Sequence, residues 1–130
     1  MSNVIRANAS SPAEEWLSMS NRGFECFLEV LLYAASGTEM TPSGKALTDA
    51  LAELRELNDI APGTASFDID ELPWESASLE DDVAFLTGIA RKAAGTGTWS
   101  GLGYEPNMEI LIPWLDRFSE MLGEMLPKTE

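Results

Sequence analysis

A row of carboxylates on one predicted helix is the clearest candidate for chemistry in this sequence. Asp49, Glu53 and Glu56 lie at i, i+4 and i+7, and Asp59 continues the series. Side chains at this spacing share one helix face, and we call the four residues the acidic ridge. Such a ridge can dock a basic protein, can bind Mg²⁺ if carboxylates from a second helix converge on it, or can be a solvated surface.

The groups that usually work beside carboxylates in enzymes are missing. The chain has no histidine, and Cys26 is its only cysteine. Ser-His-Asp and Cys-His catalysis are therefore excluded within one chain, and the commonest metal ligand is absent. We predict no catalytic residue, no specific divalent metal site and no cofactor. A lone cysteine cannot form an intramolecular disulfide, which favours a reducing compartment, and we expect a cytoplasmic protein.

The charge balance limits the class of partner. There are 22 acidic and 8 basic residues among 130, which gives a formal net charge of −14. This charge repels nucleic acid and anionic membranes and favours a basic protein partner.

No secretion signal is visible, and the longest apolar run, at 30–35, is too short to span a bilayer.

Four segments carry the 3.6-residue periodicity of amphipathic helices, each with a cap or stop signal. They cover residues 11–36, 41–58, 78–94 and 110–125. Ser11 and Thr41 are the expected caps of the first two, and Pro113 either starts or kinks the last. The sequence therefore predicts an all-α, four-helix bundle-like single domain over 1–130, more than half helical, with residues 1–10 flexible.

Two connections between these helices carry further candidates. Residues 59–77 form a long acidic connection that contains Asp68, Asp70, Glu71 and Trp74, and residues 67–70 alternate too briefly to predict a strand. A glycine-rich loop at 95–104 precedes the last helix and lacks the spacing of a phosphate-binding loop. Its Trp99 and Tyr104 either form an exposed interface anchor or fold back on the bundle.

These observations favour a non-catalytic acidic binding protein that neutralises or escorts a basic protein partner. Toxin immunity proteins, antitoxins, nucleic-acid-mimicking inhibitors and secretion chaperones share this profile of size and charge. Carboxylates would steer the partner and loop aromatics would anchor it. The predicted partner-binding residues are Asp49, Glu53, Glu56, Asp59, Asp68, Asp70, Glu71, Trp74 and Trp99.

Two alternatives from other classes stay open. Glu53, Glu56 and Asp59 on one helix, with carboxylates at 80–82 on the next, loosely resemble the helical nucleotide pyrophosphohydrolases, which hold Mg²⁺ with carboxylates on two helices. That resemblance implies an all-α metal-dependent hydrolase, although the family's double-Glu opening is absent from this helix. The other alternative is a structural subunit whose broad apolar faces form an oligomer.

Overall fold

A computed structural model describes residues 2–95 and 102–126, and it combines four α-helices with a small sheet. The elements are β1 (Ser2–Arg6), β2 (Leu17–Ser20), α1 (Asn21–Ser36), α2 (Pro42–Ile60), β3 (Phe67–Asp68), α3 (Leu79–Gly95) and α4 (Met108–Gly123). The helices make up more than half of the described residues, as predicted. The all-α prediction is wrong, because a three-stranded mixed sheet makes this an α+β fold.

The N-terminal segment forms the centre of the sheet, whose strand order is β2-β1-β3. β2 runs antiparallel to β1 with Ser18 opposite Val4, and β3 runs parallel to it with Phe67 opposite Ile5. Asn3 and Ile5 are fully buried. Pairing on both sides therefore makes residues 2–6 the central strand of the sheet.

The first helix is shorter than predicted because its N-terminal part is extended. Leu17 and Met19 are buried while Ser18 and Ser20 are exposed, which is the period of a strand. The Ser20 hydroxyl then caps α1 by accepting from the Gly23 amide at 3.0 Å. The predicted start at 11 is instead followed by a single 3₁₀ turn over 13–15.

Aromatic pairs link the helices to each other and to the sheet. The Phe27 and Phe118 rings meet edge to face at 5.3 Å between α1 and α4, and Phe24 meets Phe67 of β3 at 6.3 Å.

Pro113 lies inside α4, so it does not start that helix. None of the helices described in residues 2–95 and 102–126 is both long and apolar enough to cross a membrane.

The connection predicted at 59–77 is more ordered than its acidic composition indicated. α2 continues to Ile60, and β3 is followed by two 3₁₀ turns, Ile69–Glu71 and Ser76–Ser78. Ala65, Phe67 and Ile69 are buried. This segment therefore forms one side of the core.

Replacing two helical glycines, Gly23 and Gly88, with alanine should change the free energy of unfolding in opposite directions. A Cβ at Gly23 would lie 2.7 Å from Cη2 of Trp114, whereas a Cβ at Gly88 in α3 would meet nothing within 4 Å. We expect Gly23→Ala to lower the free energy of unfolding by about 1–3 kcal/mol through overpacking. Gly88→Ala should raise it by about 0.5–1 kcal/mol through helix propensity. Urea denaturation measures both, and a stabilising Gly23→Ala would contradict the close contact.

Candidate functional site

The acidic ridge lies on the exposed face of α2. Asp49, Glu53, Glu56 and Asp59 are all exposed. Lys45, one turn earlier, forms an ion pair with Asp49 at 3.1 Å, so the N-terminal end of the ridge is partly neutralised. The remaining three carboxylates have no ion pair with any other described residue.

The acidic residues that follow β3 divide into one buried and two exposed groups. Asp68 is buried, and its carboxylate accepts two hydrogen bonds from the Arg6 guanidinium. Nε donates to Oδ1 at 2.6 Å and Nη2 donates to Oδ2 at 3.0 Å. Asp70 and Glu71 are exposed on the 3₁₀ turn. The hydrogen bond from Arg6 to Asp68, with the charges of Asp68, Glu71 and Asp70, raises the pKa of Arg6. Asp68 therefore fastens β1 to β3.

The two predicted aromatic anchors have different outcomes. The Trp74 indole N–H donates to the Ile69 carbonyl at 2.7 Å, and the half-buried ring packs against the core. Trp74 therefore fixes the 3₁₀ turn that carries Glu71. Trp99 lies outside the described residues.

A groove between α2 and the segment 66–73 brings part of the predicted set together. We call it the acidic groove, and its cavity volume is about 360 Å³. Glu53 lines it from α2, and Asp68 and Glu71 line it from the other side. Its apolar lining residues are Ala50, Leu54, Leu57, Phe67, Leu72 and Pro73. The groove therefore combines an apolar surface with carboxylates on both walls.

A neighbouring cavity of about 280 Å³ extends the acidic groove towards β1. It shares Phe67, Asp68 and Glu71 with the groove, and it adds Arg6 and Trp16. The Arg6 guanidinium carbon lies 5.7 Å from the centroid of the Trp16 ring, and Trp16 is 39% exposed. Trp16 was not among the predicted partner-binding residues.

Carboxylates of α2 and α3 do not form a metal-binding group in the part of the chain that the structure describes. No group of three His, Cys, Asp or Glu side chains among residues 2–95 and 102–126 could hold a metal ion. Asp82 is buried and accepts hydrogen bonds from Ser43 at 2.9 Å and Ser78 at 2.8 Å. It therefore joins the starts of α2 and α3.

Tyr104 folds back on α1, which was one of the two alternatives for the loop before α4. Its hydroxyl donates to Glu29 at 3.1 Å, and Glu29 also pairs with Arg55 of α2 at 3.6 Å. Partial burial raises the pKa of Tyr104, and a hydrogen bond with Cys26 and the charges of Cys26 and Glu29 add to the shift. Arg55 is thus engaged with α1 and not with the acidic ridge.

Comparison with known proteins gave no relative. No protein-family model, no curated protein and no solved structure matches the chain significantly.

Proposed function

We propose that this protein is a non-catalytic acidic binding protein that neutralises or escorts a basic protein partner, in the manner of an immunity protein, an inhibitor or a chaperone. The acidic groove is its proposed docking site. One observation carries the proposal: Glu53 and Glu71 line the same groove, and neither forms an ion pair with another described residue. Their charges are therefore available to a cation from outside.

The apolar lining gives the groove a second means of holding a partner. Leu57 is 41% exposed, and it lies beside Leu54 along the α2 wall. A lysine or arginine has a long apolar stem that can lie on such a surface while its charged end reaches a carboxylate. A basic side chain in the groove would therefore satisfy the apolar surface and the carboxylates together.

The net charge supports two separate roles for the acidic residues and Trp74, namely steering the partner towards the groove and keeping the groove in shape. A charge of −14 attracts a basic surface over distances comparable to the Debye length, which raises the association rate. Glu56, Asp59 and Asp70 are exposed close in sequence to the groove-lining residues, so we assign them to steering. We assign Asp68 and Trp74 to holding the groove in shape.

We also place the protein in the cytoplasm, because its lone cysteine suits a reducing compartment.

Charge reversal in the acidic groove tests this proposal. We expect wild-type protein used as bait in its native host to capture a basic protein, and Glu53→Lys with Glu71→Lys to capture far less of it. With the captured protein purified, the double variant should associate at least about tenfold more slowly. Raising the salt concentration from about 50 to about 500 mM should slow wild-type association by a similar factor.

The matched control changes the same net charge elsewhere. Glu39 and Glu105 are exposed, lie in loops and do not line the acidic groove. Glu39→Lys with Glu105→Lys should reduce the association rate only slightly, because the overall charge falls while the groove is intact. Equal losses from the two double variants, or binding that ignores salt, would show that the groove is not the docking site.

A further inference from the structure

A second groove, distinct from the acidic groove, lies between the start of α1 and the first half of α4. Its cavity volume is about 440 Å³, within the range of small-molecule sites. The walls are mainly apolar, with Ile110, Leu111 and Trp114 on the α4 side and Gly23 and Cys26 on the α1 side. We call it the α1–α4 groove.

The apolar wall of this groove contains a close contact between Trp114 and Gly23, and it leaves the side chain of Ile110 exposed to water. The Trp114 ring packs so tightly on Gly23 that a Cβ there would lie 2.7 Å from the ring. Ile110 remains 50% exposed, although it lines the groove. Covering Ile110 with an apolar ligand would remove this surface from water, which is favourable.

Arg22 gives the same groove a positive charge that no described residue neutralises. It is exposed, it lines the groove, and it forms no ion pair with any residue in 2–95 or 102–126. Arg6, Lys45, Arg55 and Arg117 by contrast all pair with carboxylates. Arg22 differs from Arg91, which also forms no ion pair with a described residue, because it lines this apolar cavity.

We propose that the α1–α4 groove binds a small apolar monocarboxylate. The hydrocarbon part lies along Ile110, Leu111 and Trp114, and the carboxylate pairs with the Arg22 guanidinium. Arginine presents a planar fork of donors that matches a carboxylate. A cationic ligand is disfavoured by Arg22, and a fully polar anion leaves Ile110 uncovered. The ligand therefore needs both a charged end and an apolar body.

Cys26 offers a direct measure of occupancy, because it is the only thiol in the chain and lines this groove. The test measures the rate of alkylation of Cys26 by iodoacetamide with octanoate, with 1-octanol and with acetate. Octanoate should slow alkylation at least about fivefold at saturation, 1-octanol should protect only at higher concentration, and acetate should not protect. An alkylation rate unchanged by octanoate up to about 5 mM would overturn the proposal.

Three substitutions separate charge from apolar contact. Arg22→Gln should weaken octanoate binding about fivefold without changing 1-octanol binding, and Ile110→Ser should weaken both. Arg91→Gln is the matched control, since Arg91 is also exposed and without an ion pair among the described residues but does not line the groove. Equal effects of the two arginine substitutions would overturn the assignment of Arg22.

A second copy of the chain is the competing occupant of an apolar groove. Sedimentation of the wild type and of Ile110→Ser distinguishes the two occupants. We expect both proteins to be monomers at micromolar concentration. A wild-type dimer that Ile110→Ser dissociates would show that the groove is an interface between copies, and it would overturn the proposal of a small ligand.

Discussion

Replacing Arg6 with methionine should destabilise the protein more than replacing Asp68 with alanine, although both changes break the same ion pair. The Asp68 side chain is only 5% exposed, whereas the Arg6 side chain is 33% exposed. Without Arg6, the carboxylate stays buried with no side-chain donor among the described residues. Without Asp68, the guanidinium can turn to water. We expect Asp68→Ala to lower the free energy of unfolding by about 2 kcal/mol and Arg6→Met to lower it further.

Urea denaturation of the single and double variants tests this asymmetry. Arg6→Met with Asp68→Leu should be more stable than Arg6→Met alone, because the second change removes the stranded charge. The control is Lys45→Met, which breaks an ion pair whose partners are both more than half exposed, and it should lower the free energy of unfolding by less than about 1 kcal/mol. Equal losses from Arg6→Met and Asp68→Ala would contradict the burial of Asp68.

This ion pair also explains why the acidic groove is less acidic than the sequence indicates. Asp68 lines the groove, but both of its carboxylate oxygens accept hydrogen bonds from Arg6. Glu53 and Glu71 are therefore the two groove-lining carboxylates that can attract a cation. The charge-reversal experiment uses these two residues for that reason.

The helices could be predicted from the sequence because their signals are local. Thr41 accepts a hydrogen bond from the Gly44 amide at 3.1 Å, as its position before Pro42 predicted. The apolar positions Leu47 and Leu51 lie on the buried face of α2. Capping and 3.6-residue periodicity act within one or two turns, so no distant residue is needed to find them.

The sheet could not be predicted because its strands are stabilised by partners far along the chain. β1 carries a fully buried asparagine, which breaks the expected alternation of apolar and polar residues. Leu17 and Met19 have strand spacing, but over four residues that pattern is weaker than the longer helical arc that follows. β3 has only two residues, and its pairing to β1 joins positions 62 residues apart.

The candidate site was predictable in its charges but not in its shape. The exposed positions of Glu53 and Glu71 follow from their places on a polar helix face and in an acidic connection. The inward direction of Asp68 could not be inferred, because its partner is in a segment predicted to be flexible. Leu57 was not among the predicted partner-binding residues, yet it is 41% exposed and lines the groove.

Replacing Asn3 with alanine should lower the free energy of unfolding more than either single substitution of the Arg6–Asp68 ion pair. Asn3 is fully buried, and its amide nitrogen donates to Asn58 at 2.7 Å and to Asn21 at 3.1 Å. Its side-chain oxygen accepts from the Ala65 amide at 2.9 Å. One side chain thus joins β1 to the start of α1, the end of α2 and the approach to β3. Truncation leaves several buried groups unsatisfied, so we expect a loss of about 3–4 kcal/mol.

Asn3→Asp separates the role of the amide from that of side-chain volume. The new carboxylate is nearly the same size but places an oxygen against the Asn58 oxygen, so it should destabilise at least as much as alanine. Asn8→Ala is the matched control, because Asn8 is exposed in the same N-terminal segment and should lose less than about 1 kcal/mol. Hydrogen exchange should show faster exchange of the Ala65 amide in Asn3→Ala, which removes the oxygen that accepts from this amide. A buried residue that bonds to three other segments should matter more than an exposed one. Equal losses of unfolding free energy from Asn3→Ala and Asn8→Ala would therefore contradict a role of Asn3 in holding the N-terminal strand to the fold.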